Sequence, residues 1–77
     1  MIVWVLMFDN EIQGIYDDLL KAMISCDSLL GSLHLYVFDF TMMGEDIYFG
    51  VSDDPTSSLG KIYRCEIHPI TINDNLF

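Results

Sequence analysis

The chain has 77 residues, among which twelve acidic side chains and only three basic ones give a formal net charge of -9. This balance excludes proteins that grip nucleic acids or anionic membrane surfaces, because both need basic side chains against phosphates. It favours a partner with a basic surface. The length predicts one domain over residues 1–77, with a short C-terminal tail at residues 71–77.

The hydrophobic content is high for so short a chain. Hydrophobic residues make up 52% of the sequence, which is more than the core of a domain this small can enclose. We therefore expect apolar side chains on the surface, where they mark contacts with another molecule. A homodimer is the simplest such contact, because a symmetric interface uses one patch twice.

The N-terminal apolar run, residues 2–8, predicts a buried central strand. It is too short to span a membrane and lacks the basic start of a signal peptide. Residues 11–16 return as a second strand and complete a hairpin. Cys26 and Cys65 are too few for a disulfide framework, so we expect free, buried thiols in a cytoplasmic protein, although one bridge stays open.

One helix follows the hairpin. Asp17 is predicted to cap the helix, and the charges of Asp17 and Asp18 suit the positive end of its dipole. Residues 19–24 place apolar side chains at helical spacing. We expect this helix to run to about Cys26, where residues 27–28 either interrupt it or cap another short turn. Gly31 is predicted to end the helical region.

Three strands complete the chain. The first is predicted to be central because both of its faces are apolar. Pro69 weakens the end of the last one. The predicted strands are residues 33–41, 46–52 and 61–68, joined by a turn at 42–45 and a loop at 52–58, with a loose tail at 73–77 in which Leu76 and Phe77 are candidates for docking. The prediction is an α+β fold, a mainly antiparallel sheet of about five short strands with one helix on one face, in the order β-β-α-β-β-β.

Most of the acidic pairs fall at the predicted turns, where acids also occur for local reasons. One interpretation is a solvated acidic rim. The other is that carboxylates in the loops contact a basic partner, in the manner of proteins that imitate DNA. The predicted partner-binding residues are Asp9, Glu11, Glu45, Asp46, Asp53 and Asp54.

Two chemical motifs fail on spacing. Gly14-Ile15-Tyr16 and Tyr48-Phe49-Gly50 resemble the halves of a GIY-YIG nuclease signature, but a predicted helix and strand separate them. The arginine which that family carries on a helix is replaced here by Arg64, in a predicted strand. Cys65 and His68, with Cys26 and His34, offer four metal ligands, but residues three apart in a strand face opposite sides. We therefore predict no catalytic, cofactor-binding or metal-binding residues.

A run of short patterns resembles small accessory proteins of tailed bacteriophages. These patterns are the strand at residues 3–6, the segment Gly14-Ile15-Tyr16 leading into Lys21-Ala22, and the final strand at residues 62–67. Proteins of that group with an assigned role are often inhibitors of host restriction, CRISPR or toxin systems. The resemblance carries over no functional residues.

These observations lead to one functional expectation and two alternatives. We expect a phage-type inhibitor, without enzymatic activity, that binds a basic host protein in the host cytoplasm. A nucleic-acid-handling defence factor is the expected target, which would make the protein an anti-CRISPR or a related host-defence antagonist. The alternatives are a structural or regulatory homodimer without an inhibitory role, and an unrecognised small enzyme.

Overall fold

The computed structural model describes residues 1–56 and 59–73 as an α+β fold. Its element order, β-β-α-β-β-β, and its antiparallel five-stranded sheet confirm the predicted class. The elements are β1 (Ile2–Phe8), β2 (Glu11–Tyr16), α1 (Leu19–Ser32), β3 (Tyr36–Met43), β4 (Asp46–Ser52) and β5 (Ile62–Thr71).

The strands lie in the order β2-β1-β5-β4-β3. β1 has a neighbour on each side, as its continuous apolar sequence predicted. The β1–β2 turn places Asp9 and Asn10 in the left-handed region, with φ of 52° and 68°. Such turns match the twist of a hairpin, and Asp and Asn tolerate positive φ better than most residues.

Helix α1 is longer than predicted. The cap is Asp18 rather than the predicted Asp17, and its carboxylate accepts from the Leu20 N–H at 3.4 Å. The helix then runs unbroken to Ser32, through Asp27 and Ser28, so the predicted end near Cys26 is wrong. Both residues face solvent, while Ala22, Cys26 and Leu30 form a buried stripe at spacing of four. Packing of this stripe outweighs the local preference of Asp and Ser for helix ends.

The end of the helical region also differs from the prediction. Gly31 lies inside α1, and the left-handed residue after the helix is His34, with φ of 57°. The Leu35 N–H donates to the Leu30 carbonyl at 2.9 Å and closes the helix end. Within the described residues, no helix is long and apolar enough to cross a membrane.

The core lies between α1 and one face of the sheet. The helix covers β1, β2 and β5, and the buried strand residues come from β1, β4 and β5. Around them pack partly buried aromatic rings, including those of Trp4, Phe8 and Tyr63. The buried cluster consists of Leu6, Ala22, Cys26, Leu30, Ile47, Val51, Cys65 and Ile67.

β3 is an edge strand, so the prediction that it is central is wrong. Among the described strands it pairs with β4 alone, and all eight of its residues are exposed. It begins at Tyr36 rather than at residue 33, and it extends through Met42 and Met43, which were assigned to a turn. The turn itself is Gly44-Glu45, where Gly44 has φ of 64°. The apolar residues on both faces of β3 are therefore not buried within one copy of the chain.

β5 continues past Pro69 to Thr71, beyond its predicted end at residue 68. Beyond Ile67 the strand has only β1 beside it, and a residue without an N–H is tolerated at such a margin. The Ile72 N–H donates to the Met1 carbonyl at 2.8 Å, so residues 71 and 72 belong to the fold rather than to the predicted tail. The proposed docking of Leu76 and Phe77 lies outside the described residues, as does part of the loop at residues 52–58.

Candidate partner-binding surface

The sheet face that points away from α1 is called the outer face. Paired residues in a sheet share a face and chain neighbours alternate. Cys65 touches Cys26 of the helix, so its neighbours Arg64 and Glu66 point outward. The strand partners of these two residues do the same. The outer face therefore includes Met7, Tyr48, Gly50, Arg64, Glu66 and His68, together with Val5.

An open depression of about 680 Å³ lies on this face, over β4 and its neighbours. Gly50 forms its floor, and Arg64 lies beside Gly50 in the β4–β5 pairing. Apolar, aromatic and charged groups therefore meet in one concave surface, as they do in many binding sites. The described residues that line it are Asp9, Asp39, Thr41, Met43, Tyr48, Phe49, Ile62, Tyr63 and Arg64, of which Phe49 and Tyr63 direct their side chains toward the core.

Gly50 shapes the depression because a side chain there would collide with β3. A Cβ atom at residue 50 would lie 2.9 Å from Phe38 Cζ and 3.2 Å from Asp39 Cβ. The β3–β4 register shifts between Val37 and Asp39, and this bulge brings both Phe38 and Asp39 to the outer face. The Phe38 ring thus covers the glycine, as aromatic rings commonly do beside a glycine in a sheet.

A polar cluster lies at one margin of the same face. His68 Nδ1 is 3.0 Å from Asp46 Oδ1, and His68 Nε2 is 3.5 Å from Glu66 Oε1. The Tyr48 ring meets the imidazole edge-on at a centroid distance of 5.4 Å. With its Nδ1 protonated, the imidazole donates to Asp46, and this contact joins β4 to β5 on the surface.

Sequence reasoning missed this cluster, because it placed no histidine near the acidic pairs. The signal lay in the strand register. Ile47 pairs with Ile67, so the next residues outward, Asp46 and His68, lie opposite each other. A histidine held by a carboxylate is one part of a general base. In the described part of the chain no hydroxyl or thiol hydrogen-bonds to His68, so the cluster does not assemble a nucleophile–base pair.

The predicted partner-binding acids divide between the two ends of the sheet. Asp9, Glu11, Asp53 and Asp54 lie at the end where β1 and β4 finish, since the Asp9 N–H donates to the Arg64 carbonyl at 2.9 Å. Glu45 and Asp46 lie at the other end, beside His68. The seven residues of β4 separate the two groups by roughly 20 Å at about 3.3 Å per strand residue.

Three of these acids form hydrogen bonds within the chain. Asp46 binds His68, and Asp53 Oδ1 accepts from the Lys61 N–H at 2.9 Å. Asp54 Oδ1 accepts from both the backbone N–H and the hydroxyl of Thr56, at 2.9 and 2.8 Å. These two hydrogen bonds hold the pKa of Asp54 below its usual value.

The side chains of the other three predicted partner-binding acids are exposed to solvent. Among residues 1–56 and 59–73, no hydrogen bond or ion pair engages the side chains of Asp9, Glu11 and Glu45. Their carboxylates are therefore the ones available to another molecule. The acidic rim thus contains acids that hydrogen-bond within the chain and acids whose side chains do not among the described residues.

The four candidate metal ligands do not converge on one point, although Cys26 and Cys65 meet in the core. Cys65 faces the helix, and His68 faces outward to Asp46, as the spacing of three in a strand requires. His34 is exposed in the turn after α1. No group of three or more His, Cys, Asp and Glu side chains in the described residues is arranged to hold a metal ion.

Comparison of the chain with protein-family models, with curated proteins and with solved structures finds no match to any of them.

Proposed function

We propose that this protein is a non-enzymatic, acidic binding protein that attaches to a basic surface of another protein through its outer face. The expected class is the phage-type inhibitor of a host protein, with a nucleic-acid-handling defence factor as its target. The observation that carries the proposal is the depression on the outer face, which brings the Tyr48 ring together with the acidic residues Asp9 and Asp39. Arginine and lysine side chains of a partner suit such a surface, because they pair with carboxylates and pack on aromatic rings.

The free carboxylates extend this surface at both ends. Asp9 and Glu11 lie at one end of the sheet and Glu45 at the other, roughly 20 Å away by strand length. Basic groups on a partner that spans the outer face meet unpaired acids at both margins. Acidic groups placed around an apolar centre give specificity and raise the rate of association at low salt.

The test uses charge reversal at acids whose side chains make no hydrogen bond or ion pair among the described residues. The variants are Glu11→Lys at one end and Glu45→Lys at the other, and Asp9 is left in place because its φ of 52° suits Asp better than Lys. Asp53, Asp54 and Asp46 are poor choices, because their replacement also breaks hydrogen bonds within the chain. Asp27→Lys is the matched control, since it makes the same charge change on the exposed side of α1.

The readout is a comparison of bacterial proteins retained by the immobilised wild type and by each variant, at low and high salt. We expect a basic protein that the wild type and the Asp27→Lys control retain, and that the end variants lose at low salt. Retention of the same proteins by all variants contradicts the proposal. Loss by the control alone contradicts it as well, because the contact would then lie on the helix.

The alternative, a homodimer without an inhibitory role, is favoured by a different observation. β3 is an exposed, largely apolar edge strand in which Asp39 is the one charged residue. A dimer through this edge is compatible with the outer-face proposal, because it leaves the depressions open on one side of the joined sheets.

A further inference from the structure

β3 combines a free backbone edge with exposed apolar side chains. Within residues 1–56 and 59–73, its N–H and C=O groups on the side away from β4 have no strand partner, because β3 is the last strand of the sheet. Phe40 and Met42 are 53% and 57% exposed. The strand's exposed large apolar residues are Tyr36, Val37, Phe38, Phe40, Met42 and Met43.

Soluble proteins usually protect such an edge. Lysine, proline or a short strand prevents pairing with another chain. The sequence of β3, YVFDFTMM, contains neither lysine nor proline, and its eight residues make it longer than β2 at the opposite edge. Its bulge lies between Val37 and Asp39, so residues 39–43 form a regular edge. This edge is suited to pairing rather than protected against it.

The charge distribution decides which molecule pairs with it. The chain has a formal net charge of -9, yet Asp39 is the one charged residue of β3. A basic partner finds more favourable electrostatic contacts on the outer face and its margins than on this strand. An apolar edge with one charge is instead complementary to itself, since an antiparallel two-fold pair needs only one copy of the surface.

We propose that two copies of this chain pair antiparallel along β3, about a two-fold axis at Thr41, and join their five-stranded sheets into one continuous sheet of ten strands. In this register Thr41 faces Thr41 of the second copy, and Phe40 faces Met42. Asp39 faces Met43, which avoids the opposition of two carboxylates. Pairs of threonines and of aromatic with apolar residues are favourable across strands, whereas like charges are not.

The available area matches a weak, specific dimer. An aromatic or large apolar side chain buries on the order of 200 Å² when it is fully enclosed. The six side chains are about half exposed, so each copy offers at most roughly 600 Å², or at most about 1,200 Å² for the pair. This value lies at the lower limit for stable protein interfaces. We therefore expect a dissociation constant in the micromolar range.

Salt distinguishes this contact from the proposed binding of a basic partner. In the dimer, Glu45 of one copy approaches the end of β4 that carries Asp53 and Asp54 in the other. Screening of these like charges strengthens the dimer as ionic strength rises. The same screening weakens the attraction of a basic protein to the outer face. The two contacts therefore respond to salt in opposite directions.

Sedimentation equilibrium of the full chain tests the proposal. We expect the wild type to approach twice the 8.8 kDa mass of one chain at concentrations of tens of micromolar and above, more completely at high salt. Thr41→Lys places two like charges on the axis and should return the protein to one chain. Ile12→Lys is the matched control, because Ile12 is exposed on β2 at the opposite edge, and it should remain dimeric.

A covalent variant keeps the test decisive if Thr41→Lys does not fold. Directly opposed residues in antiparallel strands have Cα atoms about 4.5–5.5 Å apart, which suits a disulfide. Under oxidised glutathione, Thr41→Cys should form a dimer linked through residue 41, as peptide mass analysis can show, whereas Ile12→Cys should not. A wild type that stays at 8.8 kDa under all these conditions, or equal cross-linking of both variants, overturns the proposal.

Discussion

The sulfur atoms of Cys26 and Cys65 lie 3.2 Å apart in the core and join α1 to β5. Both thiols are free and buried, as the cysteine count predicted. The hydrogen bond with Cys26, together with burial, raises the pKa of Cys65, while the same hydrogen bond lowers the pKa of Cys26. Thiolate chemistry is thereby suppressed at Cys65, and access limits it at Cys26.

The first prediction concerns the reactivity of these thiols. In the folded protein at pH 7.5, iodoacetamide should modify Cys26 and Cys65 much more slowly than a small free thiol, because alkylation needs an accessible thiolate. Denaturant should restore a fast reaction at both. Mass spectrometry over time measures the rates. Ser28→Cys, exposed on the same helix, is the control that should react quickly in the fold, and rapid double modification of the folded wild type would contradict the core position.

The second prediction concerns the contact of Gly50 with Phe38. Gly50→Ala should cost about 1 kcal/mol of unfolding free energy, at the low end for overpacking, because the exposed Phe38 ring can move aside. Denaturant unfolding measures it. Gly31→Ala is the control, since nothing lies within 4 Å of an added Cβ there, and it should stabilise the helix by about 1 kcal/mol.

A double-mutant cycle separates the steric contact from other effects of Gly50→Ala. In a Phe38→Ala background, the ring is absent and most of the cost of Gly50→Ala should disappear. An undiminished cost in that background shows that the ring is not its origin.

The third prediction concerns the pH dependence of the loop after β4. Hydrogen bonds from the backbone N–H and hydroxyl of Thr56 lower the pKa of Asp54. A carboxyl pKa lower in the folded than in the unfolded chain contributes stability above the unfolded value, and this contribution is lost as the pH falls through the folded value. Thr56→Val removes the hydroxyl donor and keeps the N–H, so the pKa of Asp54 should rise part of the way back.

Carbon-detected NMR titration of the side-chain carboxyl groups measures this change. Asp17 is an internal control, because its pKa is lowered by the Lys21 side chain, which lies outside this loop. Its midpoint should not move in Thr56→Val. Identical Asp54 midpoints in wild type and variant would show that the hydroxyl has no part in holding the carboxylate.

The sequence predicted the elements well where local pattern and final environment agree. The apolar run of β1 lies between two neighbours, and the acids at residues 17–18 do precede the helix. The sequence-based prediction was wrong at α1, because Asp27 and Ser28 suggested an interruption of the helix although its buried stripe continues to Leu30. Packing across the sheet decides such a case, and no local preference reports it.

The error at β3 has a different origin. An apolar sequence on both faces is the signature of a strand covered within its own chain, but it also describes a strand that another chain covers. Composition alone does not separate these cases. The Asp46–His68 contact was within reach of sequence reasoning, once the β4–β5 register was considered. The contact of Cys26 with Cys65 could not be predicted without the path of the helix across the sheet.

The limited reach of α1 across the sheet divides the side chains between two tasks. Those that hold the fold lie between the helix and β1, β4 and β5, while those of β3 contribute to none of the buried cluster. Substitutions on β3 therefore alter contacts without eroding the core, apart from those at the rings that touch β4. Mutations on β3 can therefore change the binding partner of this strand while the fold stays the same.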